Sequence, residues 1–199
     1  MPSNVPHPSP DQRRAIDRFL DELDLWNRRL NLTTVPRDQA WERHIEESTR
    51  LLALADLASG SRCADLGSGG GIPGVVVAIV RPDVAVTLIE ADRRKAGFLV
   101  HVCGLLELVN VTVAARRAEE MAGDPAHREM YDAVLSRAAA PPLQLCALAM
   151  PLLRPGGFLW ALVSDNDAEA AVAALAADQS VTAAHAARGT LAVYKRVRG

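Results

Sequence analysis

Over the first sixty residues, apolar positions recur at helical spacing; beyond Gly60 they gather into short runs of strand length separated by turns. Residues 1–8, with prolines at 2, 6 and 8, read as a loose tail. Ser9-Pro10-Asp11-Gln12 forms a capping-box start, and Ile16, Leu20, Leu23, Trp26 and Leu30 continue it as an amphipathic helix. The Asn31–Pro36 segment ends that helix, and a second begins near Asp38 with Trp41, Ile45, Ser48, Leu51, Leu52 and Ala55 on one stripe. His44 and Ser48 share that apolar face, where they are either a satisfied core pair or a substrate-facing pair. Strands are predicted at 62–66, 84–89, 111–114, 131–135, 158–163 and 190–194. Helices are predicted at 73–80, 93–108, 142–153 and 167–177, with a Pro155-Gly156-Gly157 turn closing the third. Repeated strand–helix units imply an α/β, Rossmann-like, doubly wound and mainly parallel sheet. The expected division is an N-terminal helical extension, 1–60, and a sheet domain, 61–199.

The first strand runs into Asp65-Leu66-Gly67-Ser68-Gly69-Gly70-Gly71-Ile72-Pro73-Gly74. A glycine run between a strand and a helix suggests backbone pressed against a ligand, with Pro73 in the helix's first turn. A carboxylate at Asp65 repels a pyrophosphate but attracts an ammonium group, directly or through water. That favours S-adenosylmethionine over a dinucleotide; a glycine turn without a ligand is the bland alternative. Glu90 closes the second strand, where an acid can accept both ribose hydroxyls of an adenosine. Glu119, in Arg116-Arg117-Ala118-Glu119-Glu120 after the third strand, is placed to accept an adenine amine or merely to suit a helix N-terminus. Arg137 follows the fourth strand at the crevice mouth. With Arg93, Arg94, Lys95, Arg116 and Arg117 it forms either a cationic rim or an ordinary solvated face.

Composition changes this picture little. The 199 residues are 49% hydrophobic and 23% charged with a net charge of −2, so nucleic-acid binding would need a local basic patch. Cys63, Cys103 and Cys146 lie far apart within apolar runs, which favours buried reduced thiols over zinc or a disulfide. The N-terminus shows no signal-peptide pattern and no apolar stretch approaches a membrane span, so a cytoplasmic protein without membrane or metal is expected, as a monomer.

The sequence resembles the bacterial 16S ribosomal RNA guanine-N7 methyltransferase family, also called the glucose-inhibited division protein B family, over about residues 12 to 162. The resemblance is carried by Trp26-Asn27-Arg28-Arg29-Leu30-Asn31-Leu32-Thr33, His44 with Ser48, and the 65–74 glycine loop. It continues through Thr87-Leu88-Ile89-Glu90, residues 93–99, Arg117-Ala118-Glu119-Glu120, Tyr131-Asp132 and Ser136-Arg137-Ala138. It implies a class I S-adenosylmethionine-dependent methyltransferase fold and an rRNA substrate in the small ribosomal subunit. Gly67, Ile72, Ala118, Glu119 and Arg137 would contact the cofactor, while Asn31, His44 and Lys95 would lie toward the substrate. Joined with the reading of the loop, the candidate cofactor set is Asp65, Gly67, Gly69, Gly71, Ile72, Glu90, Ala118, Glu119 and Arg137; the candidate catalytic set is Arg137, His44 and Asn31. Two departures stand out: Val163-Ser164-Asp165 replaces a lysine–glycine pair after the fifth strand, and His44-Ile45-Glu46-Glu47-Ser48 carries Glu where the family has Asp. They keep open a small-molecule N- or O-methyltransferase, with His44 as its base, and a non-catalytic nucleoside-binding protein. A dinucleotide oxidoreductase is the more distant alternative.

Overall fold

The structure is a computed structural model that describes residues 7–55, 57–137, 140–175, 181–187 and 190–195. Most of the 1–8 tail, Ala138 of the Ser-Arg-Ala motif and the end of the helix expected at 167–177 lie outside the described residues.

Helix α1 (Pro10–Leu30) starts as its capping box requires: the Gln12 N–H donates to Ser9 Oγ, and the Ser9 N–H donates to Gln12 Oε1. Gln12 also donates through Nε2 to the carbonyls of Ile79 and Val80. One side chain thus completes the start of α1 and satisfies two end carbonyls of helix α3 (Gly74–Val80). Ile16, Phe19, Leu20 and Leu23, at helical spacing, are buried. After α1 comes a short 3-10 turn at Arg37–Gln39, then a π-helical segment at Trp41–Glu46 that runs into α2 (Glu47–Ala55). The sequence pattern suggested one regular helix from Asp38. The wider π turn is the local difference, and it carries His44.

The sheet comprises β1 (Arg62–Leu66), β2 (Ala85–Ile89), β3 (Val111–Ala114), β4 (Tyr131–Arg137), β5 (Leu153–Leu162), β6 (Val181–Ala187) and β7 (Thr190–Lys195). Their order is β3-β2-β1-β4-β5-β7-β6, with β1 to β5 parallel and β7 antiparallel to both neighbours. Helices α4 (Arg93–Leu105), α5 (Ala118–Gly123), α6 (Pro142–Ala149) and α7 (Asp165–Leu175) complete the chain. Two apolar clusters cover the two faces. One joins Ile16, Phe19, Leu20 and Leu23 to Val75, Val76, Phe98 and Leu99, so the N-terminal helices share a core with the sheet. The other gathers Met121, Leu145, Cys146, Ala168 and Ala171 against Ala64, Val134 and Leu159. All three cysteines are buried and outside any disulfide, and burial pushes the Cys63 and Cys103 thiols upward.

Two expectations change. The helix after β4 stops at Ala149 rather than 153, and Pro155-Gly156-Gly157 lies inside a longer β5 as a register shift opposite Tyr131–Ala133. Strand β6 had no strand pattern in Val181-Thr182-Ala183-Ala184; pairing with β7 supplies the ladder that local propensity does not.

Candidate active site

The chain leaves β1 toward β2 and β3 on one side, then returns to place β4 on the other side of β1. Ligands of open α/β sheets sit at the carboxyl ends of the strands beside such a reversal. A cavity of about 480 Å³ occupies that place. Its wall takes Leu66 and Gly67 from the end of β1, Ile89 and Glu90 from β2, and Arg137 from β4; Gly69, Lys95, Arg116, Arg117, Ala118 and Glu119 also line it.

Two backbone features shape the floor. The Gly67 and Ser68 N–H groups both donate to the Ile89 carbonyl, which ties the loop to β2. Glu90, nearly buried, accepts the Gly69 N–H at 2.8 Å on Oε2 and the Asp92 N–H at 2.8 Å on Oε1. Each oxygen thus uses one lone pair on the protein and keeps acceptor capacity for the cavity. Glu90 both braces the glycine turn and faces the ligand space.

The glycines divide by what surrounds them. Gly67 and Gly69 line the cavity, and a Cβ on Gly69 would meet only the Gly67 carbonyl, at 3.7 Å. A Cβ on Gly70 would press on Leu23 and the Leu32 carbonyl, and one on Gly71 on Val75 and Leu99. One on Gly74 would strike Leu88 and Asp65. The run therefore divides: Gly67 and Gly69 face the cavity, and the later glycines admit α1, α3, α4 and β2 to one packed core. Gly71 and Ile72, expected at the cofactor, belong to that core and do not line the cavity.

Asp65 is also set back from the cavity wall. Fully buried, it accepts the Gly74 N–H at 3.1 Å on Oδ2, while Oδ1 has no protein partner. Burial pushes its pKa up to about 7 despite the Gly74 hydrogen bond. Pro73 caps α3 rather than opening its first turn, so the first N–H of that helix goes to Asp65 and not to the cavity.

Arg137 is half-buried and reaches the wall from the end of β4; burial lowers its pKa, opposed by Glu47 and Asp65. Its Nη1 lies 2.6 Å from Nδ1 of His44. His44 is buried, is not on the cavity wall, and has its Nε2 3.0 Å from Thr33 Oγ1. Burial, then Arg137, push its pKa down to about 4. Ser48 donates to the His44 carbonyl at 2.6 Å, so the two residues are linked through backbone and not as a side-chain pair.

Asn31, expected toward the substrate, is an exposed helix cap in the left-handed region with its N–H on the Asn27 carbonyl, away from the cavity wall. The organising residue is Asn27. Its Oδ1 accepts the N–H groups of Leu32 and Thr33, and its Nδ2 donates to the Thr33 carbonyl. That clamp sets Leu32 on the cavity wall. An amide in the last turn of a helix, a position that disfavours it unless it bonds backbone, was the available signal. Ala91, Ala140, Gln144, Leu145 and Leu148, which complete the wall, carry none.

Of the expected rim, Lys95, Arg116, Arg117 and Arg137 line the cavity; Arg94 pairs with Asp92, and Arg116 also pairs with Asp124. No aromatic side chain is among the lining residues. The described residues contain no group of three or more His, Cys, Asp or Glu arranged to hold a metal, and no helix long and apolar enough to cross a membrane.

Solved structures with the same fold include an O-methyltransferase described as predicted from Agrobacterium tumefaciens, 20% identical, covering 74% of this chain and 82% of that one with a TM-score of 0.61. A SAM-dependent O-methyltransferase from Thermotoga maritima is 16% identical, covering 91% of this chain and 72% of its own with a TM-score of 0.62. At these identities the likeness concerns the class I methyltransferase fold. Closer relatives are similar in sequence. Proteins named ribosomal RNA small subunit methyltransferase G from Sorangium cellulosum and Roseiflexus castenholzii are 44% and 42% identical over 71% and 74% of this chain. The matches span 59% and 64% of those relatives' own lengths, or about three-fifths. Residues 12–190 match the family described as rRNA small subunit methyltransferase G (GidB), and this chain belongs to that family.

Proposed function

We propose that the protein transfers a methyl group from S-adenosylmethionine to guanine N7 of small-subunit ribosomal RNA, acting in the cytoplasm as a monomer. The observation that carries this reading is the cavity at the strand reversal, floored by Gly67 and Gly69 and braced by Glu90. Its chemistry fits an aminoacyl nucleoside. Glu90 has acceptor capacity left for ribose hydroxyls, Ala118 and Glu119 line the wall where an adenine would lie, and buried Asp65 Oδ1 lacks a partner just behind the loop. An ammonium group reaching Asp65 through water would satisfy that oxygen. The cofactor, when bound, supplies an electrophilic methyl group on sulfur.

Guanine N7 has a free lone pair, so the protein needs no general base; its task is to hold the reacting atoms in line. The site agrees with this. His44, the base that an O-methyl acceptor would require, has both ring nitrogens engaged and a pKa near 4. Arg137 and Lys95 supply positive charge at the wall for a phosphate or for guanine O6.

The deciding assay follows labelled methyl transfer to 30S subunits lacking the mark, in parallel with small amines and hydroxyl compounds. Label in the rRNA at a guanine supports the proposal; turnover confined to a small acceptor replaces it. Cofactor binding without any transfer would make this a nucleoside-binding protein. Size-exclusion chromatography with light scattering tests the monomer.

Gly69→Val tests the cradle. The left-handed backbone at Gly69, φ 50°, should cost about 1–2 kcal/mol with a side chain. The new Cβ meets only the Gly67 carbonyl, at 3.7 Å, so a loss of affinity beyond that strain points to the ligand. Calorimetry should show S-adenosylhomocysteine binding at least roughly tenfold weaker, about 1.4 kcal/mol. Unchanged affinity would remove this loop from the binding site.

A further inference from the structure

The network behind Arg137 has a direction. Arginine stays protonated and can only donate, so the 2.6 Å contact requires a bare lone pair on His44 Nδ1. The ring proton must then sit on Nε2, 3.0 Å from Thr33 Oγ1. That hydroxyl oxygen also accepts the Val35 N–H, at 3.1 Å, and Asn27 holds the Thr33 backbone on both its N–H and its carbonyl. Nδ1 also lies 3.1 Å from the Arg43 carbonyl, an acceptor that could be answered only by the other tautomer. Between an obligatory cationic donor at 2.6 Å and a carbonyl at 3.1 Å, the former fixes the ring. The surroundings agree: His44 is fully buried with two cations, Arg137 and Arg43, acting on it.

We propose that His44 is a positioning residue: the Asn27–Thr33 clamp holds it as the Nε2–H tautomer, and its Nδ1 lone pair fixes the Arg137 guanidinium on the cavity wall. What Arg137 does there rests on the methyltransferase reading above; the tautomer and the orientation do not. The line runs from the last turn of α1 through the loop after it and the π-helical segment to the end of β4. Helices outside the repeated strand–helix units thereby set one wall of the cavity. A side chain at position 44 must accept toward β4 and donate toward Thr33, and it acts from behind the cavity wall.

Two isosteres separate the two nitrogens. An asparagine oxygen can stand where Nδ1 stands, whereas a glutamine amide reaches the place of Nε2. His44→Gln should therefore lower kcat about tenfold or more while leaving cofactor affinity within about twofold, as expected for a displaced contact rather than a lost one. His44→Asn should recover most of that loss. Arg137→Ala, which removes a charged donor, should cost on the order of a hundredfold in kcat with a smaller effect on melting. Adding His44→Gln to it should cost nothing further, because the two act through one contact. If His44→Gln and His44→Asn fall equally, or the double variant is worse than Arg137→Ala, the proposal is wrong. Nitrogen-15 spectra of the wild-type imidazole give a readout independent of activity and of variant folding. A bare Nδ1 with protonated Nε2 supports the relay, and an Nδ1–H signal or a doubly protonated ring at neutral pH overturns it. Were the protein to methylate nothing, the spectra would still decide the relay while the assay on 30S subunits alone failed.

Discussion

Gly74→Val should lower stability by roughly 3 kcal/mol, the upper end for overpacking of a close-packed interior. The added Cβ would run into the Leu88 side chain and into Asp65, both of them fully buried. Neither neighbour can yield. Leu88 is held within β2, paired with Asp65 on one side and Val113 on the other, and the Asp65 carboxylate is held by the Gly74 N–H itself. Relief requires α3 to lift from the sheet, and α3 is buried along its whole length. For a chain of this size the loss corresponds to a melting temperature lower by about 6–12 °C. Thermal unfolding followed by circular dichroism measures it, and a shift below about 2 °C would show that α3 is not held against β2 as described. Gly69→Val is the control, because its Cβ meets only the Gly67 carbonyl, at ordinary contact distance; it should lose less melting temperature than Gly74→Val and yet bind cofactor poorly.

That contrast also marks what the sequence could express. Ser9-Pro10-Asp11-Gln12, the spacing of Ile16 to Leu23 and the apolar runs at 62–66, 84–89 and 131–135 are local signals, and the structure follows them. The place of Glu90 and Arg137 was legible because strand ends dictate it: each caps a parallel strand beside the reversal. The division among the glycines was not. Whether a missing side chain makes room for a ligand or for Leu99 depends on where α4 lies, and no spacing within the loop encodes that. His44 shows the same limit. Its neighbours in the sequence place it on an apolar face, but its partner Arg137 is 93 residues away. The π-helical turn that aims it there has no clear mark in Trp41-Glu42-Arg43-His44. The family resemblance points to Asn31, while the side chain that shapes the segment is Asn27, one turn earlier.

Asp65 gives the other large effect, and it should appear as a pH dependence. In the unfolded chain its carboxyl titrates near 3.8; buried under α3 it titrates near 7. Between those values the folded protein holds a proton that the unfolded chain has released, so this group's contribution to stability falls as pH rises from about 4 to 7. Three units correspond to roughly 4 kcal/mol. His44 works in the opposite sense. Its pKa drops from 6.5 to about 4, so between those values the unfolded chain binds the extra proton and stability rises with pH. The two slopes largely cancel from pH 4 to 6.5, and the wild-type curve should look deceptively flat there. Asp65→Asn removes one of them. Its melting temperature relative to wild type should climb between pH 4.5 and 8 by on the order of 10 °C, whatever fixed cost the amide carries. A difference that stays constant across that range would mean that Asp65 is already ionised in the folded protein. On the proposed function the same residue links pH to cofactor. A ligand ammonium near the unpartnered Oδ1 favours the carboxylate, so binding near pH 6 should release up to one proton to buffer. Calorimetry in buffers of different ionisation enthalpy reads that proton directly, and Asp65→Asn should abolish it.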